Sequence, residues 1–469
     1  MQIGNVWKWE GKIDRRSYLF IGLSALVLKL GIDWFVVARI FHRTWSLLMY
    51  WNPLGNLASL RQKEDAGIVF VLLVIALPFI WLGLTTTVKR LRDAGEPVWV
   101  VCLFFAPFVN LLLFATLCLI PSAQPRAEGD AGSGTRWFGS PTLDNWLSGS
   151  AAMSALVSIA ITTLLGLGLV VLGTHYMFTY GWGLFVALPF CLGLFSTLLY
   201  SYREPRRFSQ CVNVAMLPVV ILAVVLLLVA IEGVLCILMA APIAALLAFF
   251  GGSLGFSIQA ARWGRRNPAT VSTMFSIVLI GLPSLFHYEH TAKPELPLQK
   301  VQSEIVINAP PEIVWKEVIA FSQIPPPTEL LFRSGIAYPM RAEMQGSGVG
   351  AVRRCVFSTG PFVEPIDVWQ EPKLLRFHVA ENPAPMNELT PYGHIEPAHL
   401  HGYFLSHQGQ FELTELPGGK TRLTGTTWYT NQMWPQQYWR IWSDYIVHKI
   451  HMRVLTNIRD EVEGRRKNN

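Results

Sequence analysis

The sequence predicts an α-helical multi-pass membrane domain of about eight spans, followed by a soluble α+β domain. Charge is unevenly distributed, because residues 1–287 hold 20 Lys+Arg and 12 Asp+Glu, whereas residues 288–469 hold 18 and 19. Long apolar runs are confined to the first part. Alternating strand patterns and one long amphipathic helix are confined to the second. The first part therefore has a membrane composition, and the second has that of a domain that folds in water.

Eight apolar runs reach or approach the roughly 20 residues that a spanning helix needs. They are Tyr18–Ile40, Ala66–Thr87, Val98–Ile120, Ala151–Gly173, Gly181–Tyr202, Gln210–Glu232, Gly233–Ile258 and Val271–His287. The sixth and seventh runs are continuous, which predicts a tight turn near Glu232–Gly233. The third run contains Pro107 and Asn110, so it is either one span or a short hairpin.

Basic residues set the predicted orientation. Arginines lie in the loop after the fifth run and in the loop after the seventh: Arg203, Arg206, Arg207, Arg262, Arg265 and Arg266. The connections at His175–Tyr180 and Glu232–Gly233 carry no Lys or Arg, so they and the C-terminal domain are predicted on the outer, periplasmic face. A basic N-terminus predicts a cytoplasmic start. Eight crossings would return the C-terminus to the cytoplasmic side, which conflicts with the predicted periplasmic location of the C-terminal domain. One run is therefore miscounted, and Val98–Ile120 is the candidate.

The polar segment Ser122–Ser150 predicts a boundary between two membrane modules, residues 1–140 and 141–290. In the first module, Gly11–Tyr18 precedes one span and Val88–Gly95 follows the next. These motifs resemble the YhaH-like family of bacterial inner-membrane proteins of unknown function, although Arg92 replaces a usual histidine. The resemblance implies a bacterial cytoplasmic membrane and no chemistry. Physically, such basic clusters are expected to anchor span ends and to pair with lipid head groups.

Residues 300–465 read as a strand, two short helices, a series of antiparallel strands and a closing helix, Gln436–Gly464. Leu416–Lys420 predicts a hairpin turn. The opening Ile305–Trp315 and the glycine-rich Gly346–Arg353 resemble the START-like or polyketide-cyclase-like superfamily, SRPBCC, with its helix-grip fold. That resemblance implies a curved sheet and a terminal helix around an apolar cavity. The glycines of Gly346–Arg353 predict a turn between strands rather than a nucleotide site.

Eleven residues are candidates for lining that cavity. They are Arg353, Phe357, Glu364, Trp369, Phe377, Tyr403, Phe411, Tyr429, Tyr438, Trp442 and Tyr445. The alternative is that the aromatic side chains only fill the core. Arg353 and Glu364 are either polar anchors inside the cavity or, as the strand pattern favours, solvent-facing residues.

The sequence predicts neither a metal site nor a cofactor. His394, His399, His401 and His407 cluster in the sequence, but their spacing matches no recognised metal motif. Cys355 is alone in the soluble part, so no disulfide is predicted there. The net charge of +7 arises in the membrane part, which argues against a nucleic-acid partner.

The leading hypothesis is a membrane-anchored, START-like protein whose partner is a hydrophobic small molecule or lipid. One alternative is a polyketide-cyclase-like or hydrolase-like enzyme, with Glu364, Arg353 or His407 as acid–base groups. Another is a lipid-handling transporter with a regulatory soluble domain. Titratable groups that converge in the cavity would favour the enzyme, and a closed apolar cavity would favour binding. The sequence leaves the oligomeric state open.

Overall fold

The structure is a computed structural model, and it divides into two compact units. It describes residues 6–42, 63–96, 98–105, 109–122, 150–202, 204–264, 269–292, 295–393 and 395–468. The first unit comprises Met1–Leu172, Val186–Ile231 and Ala241–Ser284. The second unit comprises Gly173–Phe185, Glu232–Ala240 and Leu285–Asn469.

The membrane part of the chain is helical. Its α-helices are α1 (Arg15–Phe35), α2 (Lys63–Ala94), α3 (Val109–Leu119), α4 (Ala151–Val171), α5 (Leu188–Tyr200), α6 (Phe208–Leu228), α7 (Val234–Gly264) and α8 (Ala269–Ala292). Within the described residues, six segments are long and apolar enough to cross a membrane: Arg15–Ile40, Phe70–Ala94, Ala151–Tyr176, Gly183–Tyr200, Phe208–Leu228 and Val234–Ala260. The chain is thus of the multi-pass membrane type, and the predicted number of about eight spans is not confirmed.

The predicted third run forms a hairpin instead of a span. It consists of a 3-10 helix, Val98–Phe105, and α3, each about 16 Å long and so roughly half the thickness of the hydrocarbon core. Arg90, near the end of α2, donates hydrogen bonds to the carbonyl oxygens of Leu117, at 2.9 Å, and of Ile120. The C-terminal end of the hairpin therefore lies beside the C-terminal end of α2, close to where the hairpin begins.

Arg90 also corrects the expectation that this basic motif faces lipid head groups. Its side chain is fully buried, and it forms an ion pair with Asp93 at 2.6 Å. Asp93 in turn accepts a hydrogen bond from the Ser122 hydroxyl at 2.6 Å. The motif therefore fastens the hairpin to α2, because the last carbonyl groups of α3 have no partner within their own helix.

Other sequence expectations for the membrane part have clear outcomes. The predicted turn near Glu232–Gly233 is confirmed, since α6 ends at Leu228 and α7 begins at Val234. The predicted module boundary at Ser122–Ser150 lies almost entirely outside the described residues.

The second unit contains one antiparallel sheet of seven strands. The strands are β1 (Gln299–Ile307), β2 (Pro339–Gln345), β3 (Val352–Phe357), β4 (Gly360–Gln370), β5 (Leu374–His378), β6 (Phe404–Leu416) and β7 (Lys420–Asn431), in the spatial order β1-β7-β6-β5-β4-β3-β2. Helices α9 (Pro311–Ile319) and α10 (Leu330–Arg333) lie between β1 and β2 in sequence, and α11 (Gln436–Asn468) closes the chain. The predicted element order is confirmed, and the arrangement resembles a helix-grip fold.

The predicted turns are also confirmed. Leu416 pairs with Lys420 across the β6–β7 hairpin, and Gly418 and Gly419 adopt the positive φ values that this turn requires. The glycine-rich segment after Gln345 connects β2 to β3 and opens no helix.

The core of the second unit lies between the sheet and two helices. Helix α9 starts at Pro311, which suits the first helical position, and buries Val314, Trp315 and Val318. Helix α11 contributes a C-terminal stripe that includes Leu455. Each fully buried side chain of this size stabilises the fold by about 1.5–3 kcal/mol.

Candidate functional site

A cavity of two adjoining chambers lies inside the second unit, between the sheet and α11. The apolar chamber has a volume of ≈ 90 Å³, and its walls include Met386, Met433, Trp439 and Ile446. The polar chamber has a volume of ≈ 110 Å³, and its walls include Arg353, Glu364 and His451. Both chambers share the side chains of Phe357, Phe362, Phe404, Val447 and Ile450. The two spaces therefore adjoin. Both have mainly apolar walls, and the polar chamber is named for the charged and hydrogen-bonding side chains that its wall includes.

Arg353 and Glu364 supply the charge of the polar chamber. They are directly opposite each other on β3 and β4 and form an ion pair, with side chains only 2% and 8% exposed. Arg353 also donates to the carbonyl oxygen of Ile319 at 3.3 Å. The favoured prediction of solvent-facing positions is thus wrong, because strand alternation cannot tell which face of a curved sheet encloses a cavity.

Three aromatic rings surround the Arg353 guanidinium, and burial shifts the pKa values of the ion pair. The Arg353 guanidinium lies 5.5 Å from the Phe411 ring and 5.6 Å from those of Phe321 and Phe377. Burial raises the pKa of Glu364, and Arg353 only partly opposes that rise. Burial lowers the pKa of Arg353, but Glu364 and Cys355 together outweigh burial, so the pKa of Arg353 is raised. The pair therefore holds a fixed polar group in an otherwise apolar wall.

Five of the eleven predicted residues come together in this cavity. Those that line it are Arg353, Phe357, Glu364, Phe377 and Phe411. Their role as ligand contacts remains a prediction, but their shared location agrees with the resemblance that suggested them.

The predicted residues on the terminal helix lie elsewhere. Tyr438, Trp442 and Tyr445 are absent from the cavity wall, which α11 instead lines with residues such as Trp439 and Val447. The prediction placed every fourth residue on one face of the helix. Because an α-helix has 3.6 residues per turn, each step of four residues rotates the side chain by about 40° around the helix axis. Over four steps from Val454 back to Tyr438, this rotation reaches roughly 160°.

The remaining predicted residues have other contacts. Trp369 packs edge-on against Trp315 in the core. The Tyr429 hydroxyl donates to Asp444 at 2.6 Å. Tyr403 lies in a separate cleft, where its hydroxyl donates to the carbonyl oxygen of Phe178 at 2.6 Å.

His451 is a cavity residue that the sequence did not single out as a ligand contact. Its Nε2 lies 2.7 Å from the Thr427 hydroxyl, and its Nδ1 lies 3.1 Å from the Ser303 hydroxyl. His448 shares that Ser303 hydroxyl at 2.8 Å. Burial lowers the pKa of His451 to about 4, with His448 as a further cause. The imidazole is therefore neutral at pH 7. The signal in the sequence was the His448/His451 spacing, which puts both rings on one helix face.

A second polar cluster lies beside the apolar chamber. Glu232, Cys236 and His399 are all buried, and their ligand atoms lie within 4.8 Å of one another. His399 Nδ1 is 3.3 Å from Glu232 Oε2, and its Nε2 is 3.5 Å from Glu388 Oε1. The Tyr180 hydroxyl donates to Glu232 Oε1 at 2.7 Å. All five residues belong to the second unit, and together they offer donors that suit a metal ion.

The electrostatics of this cluster are coupled. Burial raises the pKa of Glu232, and the nearby His399 only partly offsets that effect. For His399, burial lowers the pKa, but Glu232 and Glu388 together raise it by more, so the pKa is raised. The phenol of Tyr180 has a raised pKa because of burial and the adjacent Glu232. The pKa of each group in the cluster therefore depends on its neighbours as well as on burial.

The cluster of histidines seen in the sequence does not form in space. His407 is exposed and bonds the Thr430 hydroxyl at 2.8 Å. His401 is also exposed, with Glu396 at 4.0 Å as its ion-pair partner. His394 lies outside the described residues. Sequence reasoning missed the role of His399 because its partners Glu232 and Cys236 are more than 160 positions away.

Comparison with known proteins supports a membrane-type N-terminal part. Residues 6–128 match the model of a family described as "Protein of unknown function (DUF805)". This match covers the hairpin and the two spans before it, and it assigns no chemistry. No curated protein matches the chain.

Solved structures with a similar fold cover about a third of the chain. A protein of Nitrosospira multiformis has 17% identity and a TM-score of 0.24, covering 36% of this chain and 99% of its own. The ZhuI aromatase/cyclase of Streptomyces sp. R1128 has 16% identity and a TM-score of 0.23, covering 36% and 96%. A truncated norcoclaurine synthase of Thalictrum flavum has 11% identity and a TM-score of 0.24, covering 36% and 96%. Such scores carry no argument, so the fold assignment rests on the strand order and terminal helix.

Proposed function

We propose that this protein is a membrane-anchored binding protein for a hydrophobic small molecule or lipid, which the two-chambered cavity of the second unit holds. The observation that carries the proposal is a mainly apolar cavity whose wall includes one buried ion pair, Arg353 with Glu364. An amphiphilic ligand fits this pattern, with its apolar body in one chamber and its polar group near the ion pair.

The size of the cavity narrows the ligand class. Each chamber is somewhat smaller than an apolar cavity of roughly 150 Å³ that accepts benzene, and the two adjoin through shared walls. The ligand is therefore a molecule of one or two rings, or one segment of an acyl chain.

Arg353, Glu364 and His451 converge in the polar chamber, but binding still fits the cavity better than a cyclase-like or hydrolase-like reaction. Both ring nitrogens of His451 are engaged by the hydroxyl groups of Thr427 and Ser303. Of the three predicted acid–base groups, His407 is not a wall residue of either chamber. Glu364 does line the polar chamber, but its carboxylate is already engaged by Arg353. An acid or base that is held in a buried ion pair is poorly available for proton transfer to a substrate.

The hairpin supports a periplasmic location for the second unit. If Val98–Ile120 does not cross, and α8 crosses as do the six other segments, seven crossings connect a cytoplasmic N-terminus to a periplasmic C-terminus. With seven crossings, the basic N-terminus and the arginine-containing loops are all cytoplasmic, and the C-terminal domain is periplasmic. A reporter fused after Asn469 should be active only in the periplasm. Activity in the cytoplasm would rule out this orientation.

The binding proposal is tested with full-length protein purified in detergent. Organic extraction and mass spectrometry should recover one enriched apolar compound per protein. Val447→Phe adds a ring where the chambers meet and should reduce recovery at least tenfold. Ile441→Phe is the matched control, because Ile441 lies on the same helix and is 68% exposed. Equal recovery from both variants would show that the compound is bound elsewhere, and no enriched compound in the wild type would contradict the proposal.

A further inference from the structure

We propose that Glu232, Cys236 and His399 bind one divalent transition-metal ion of the zinc type, and that Glu388 orients the imidazole. This site lies in the second unit, and two of its residues, Cys236 and His399, also line the apolar chamber. The metal ion is a ligand of a different kind from the apolar molecule proposed for the cavity. It is carried by the donor set, by the spacing of the donors, and by buried polar atoms that otherwise have poor partners.

The donor set matches the chemistry of zinc. A thiol, an imidazole and a carboxylate are the three side chains that bind Zn²⁺ in proteins, with bonds of about 2.0–2.3 Å. In a tetrahedral site with 2.0–2.1 Å bonds, an oxygen and a nitrogen ligand lie about 3.3 Å apart. Glu232 Oε2 and His399 Nδ1 are separated by 3.3 Å. Small movements of the Cys236 side chain would bring the third donor to the same centre, since all three lie within 4.8 Å.

The surrounding residues form an appropriate outer shell. A metal-bound histidine usually donates its other ring N–H to a carboxylate, which fixes the tautomer. Glu388 Oε1 is 3.5 Å from His399 Nε2 and is placed for this role. Tyr180 holds the other oxygen of Glu232 at 2.7 Å. Gly233 lets Glu388 approach, because a Cβ at that position would lie 2.0 Å from Glu388 Oε2.

The protein groups alone satisfy the cluster poorly. Among the described residues, neither ring nitrogen of His399 and neither oxygen of Glu388 makes a hydrogen bond of good geometry. The contacts of 3.3 and 3.5 Å exceed the 2.7–2.9 Å typical of charge-assisted hydrogen bonds. Two buried carboxyl groups also face a single imidazole, so the cluster holds more acidic oxygens than nitrogen partners. A bound dication would give those oxygens a partner.

Cobalt substitution tests the site directly, because Co²⁺ occupies zinc sites and its spectrum reports the ligands. Full-length protein in detergent is stripped with a chelator, dialysed and titrated with Co²⁺. We expect one equivalent to bind, with the intense visible bands of a four-coordinate ion and a near-ultraviolet thiolate-to-cobalt band. One equivalent of Zn²⁺ should abolish both signals.

Matched variants assign the ligands. Cys236→Ser should lose the thiolate band and weaken Zn²⁺ binding at least a hundredfold, whereas Cys102→Ser, which alters an exposed thiol, should behave as wild type. His399→Gln should also lose tight binding. The proposal is overturned if the stripped wild-type protein remains folded but binds no stoichiometric metal, or if its cobalt spectrum lacks the thiolate band. The wild-type result decides the matter even if a variant fails to fold.

Discussion

Among the described residues, each unit buries one arginine, Arg90 in the first and Arg353 in the second, and the two have different roles. In the first unit, Arg90 is surrounded by acceptors of its own chain: Asp93 and the carbonyl oxygens of Leu117 and Ile120. In the second unit, Arg353 pairs with Glu364 at the wall of a cavity and lies close to three aromatic rings. Burial of a charge is therefore not by itself a sign of a ligand site. What distinguishes the two is the open space beside Arg353.

The largest effect is expected from Arg90→Leu. It leaves Asp93 and two carbonyl groups without their partner, so the free energy of unfolding should fall by about 5 kcal/mol, or folded protein should be lost. Size-exclusion chromatography and thermal unfolding of the detergent-purified protein measure this. Arg15→Leu, at an exposed position, is the control. A normal thermal midpoint for Arg90→Leu would contradict the role of Arg90 as the fastener of the hairpin.

Arg353→Leu should destabilise the second unit by about 3–5 kcal/mol, because it leaves Glu364 buried without its partner. The double variant Arg353→Leu/Glu364→Leu should recover most of this loss, since no charge is left unpaired. Thermal unfolding of the single and double variants gives the coupling. Arg354→Leu, at the neighbouring exposed position, should be close to wild type. If the double variant were no more stable than the single one, the two residues would not act as a pair.

These two arginines also show how far the sequence could predict the molecule. Element types and order followed from periodicity, so the helical membrane part, the turn near Glu232–Gly233 and the sheet with its terminal helix were predictable, whereas the number of spans was not. Contacts between distant residues were not, because no local pattern tells that Arg90 meets Ile120 or that His399 meets Glu232. The error on α11 was different in kind. The pattern of Tyr438 and Trp442 was real, but a helix does not keep a four-residue step on one face.

A smaller effect is expected from acid. The pKa of His451 in the folded protein is about 4, below its ordinary value of 6.5. Below pH 6.5 the unfolded chain therefore takes up a proton that the folded chain does not, and stability falls as the pH drops towards 4. Between pH 7 and pH 5 this group should cost on the order of 2 kcal/mol.

Thermal unfolding of the wild type and of His451→Gln at both pH values separates the contribution of His451 from that of other titrating groups. The variant keeps a polar side chain next to Thr427 and Ser303 but cannot take up the proton. It should lose less stability than wild type on acidification. An identical loss in both proteins would mean that His451 does not titrate as described.

The smallest effect is expected from Tyr445→Ala. Tyr445 is 49% exposed and lies outside both chambers, so stability should change by less than about 0.5 kcal/mol and ligand recovery should not change. Trp439→Ala, which removes a buried wall residue of the apolar chamber, is the informative contrast and should reduce recovery. If Tyr445→Ala had the larger effect on recovery, the ligand would bind to the outer face of α11.

Photocrosslinking is the most direct test of a ligand within the second unit. Full-length protein in native membranes is incubated with a short diazirine-bearing acyl probe, irradiated and digested, and the labelled peptides are identified by mass spectrometry. Labels are expected on wall residues shared by both chambers, such as Phe357, Phe404 and Ile450, and they should be lost in Val447→Phe. Labels confined to the lipid-exposed surfaces of the spanning helices would contradict it.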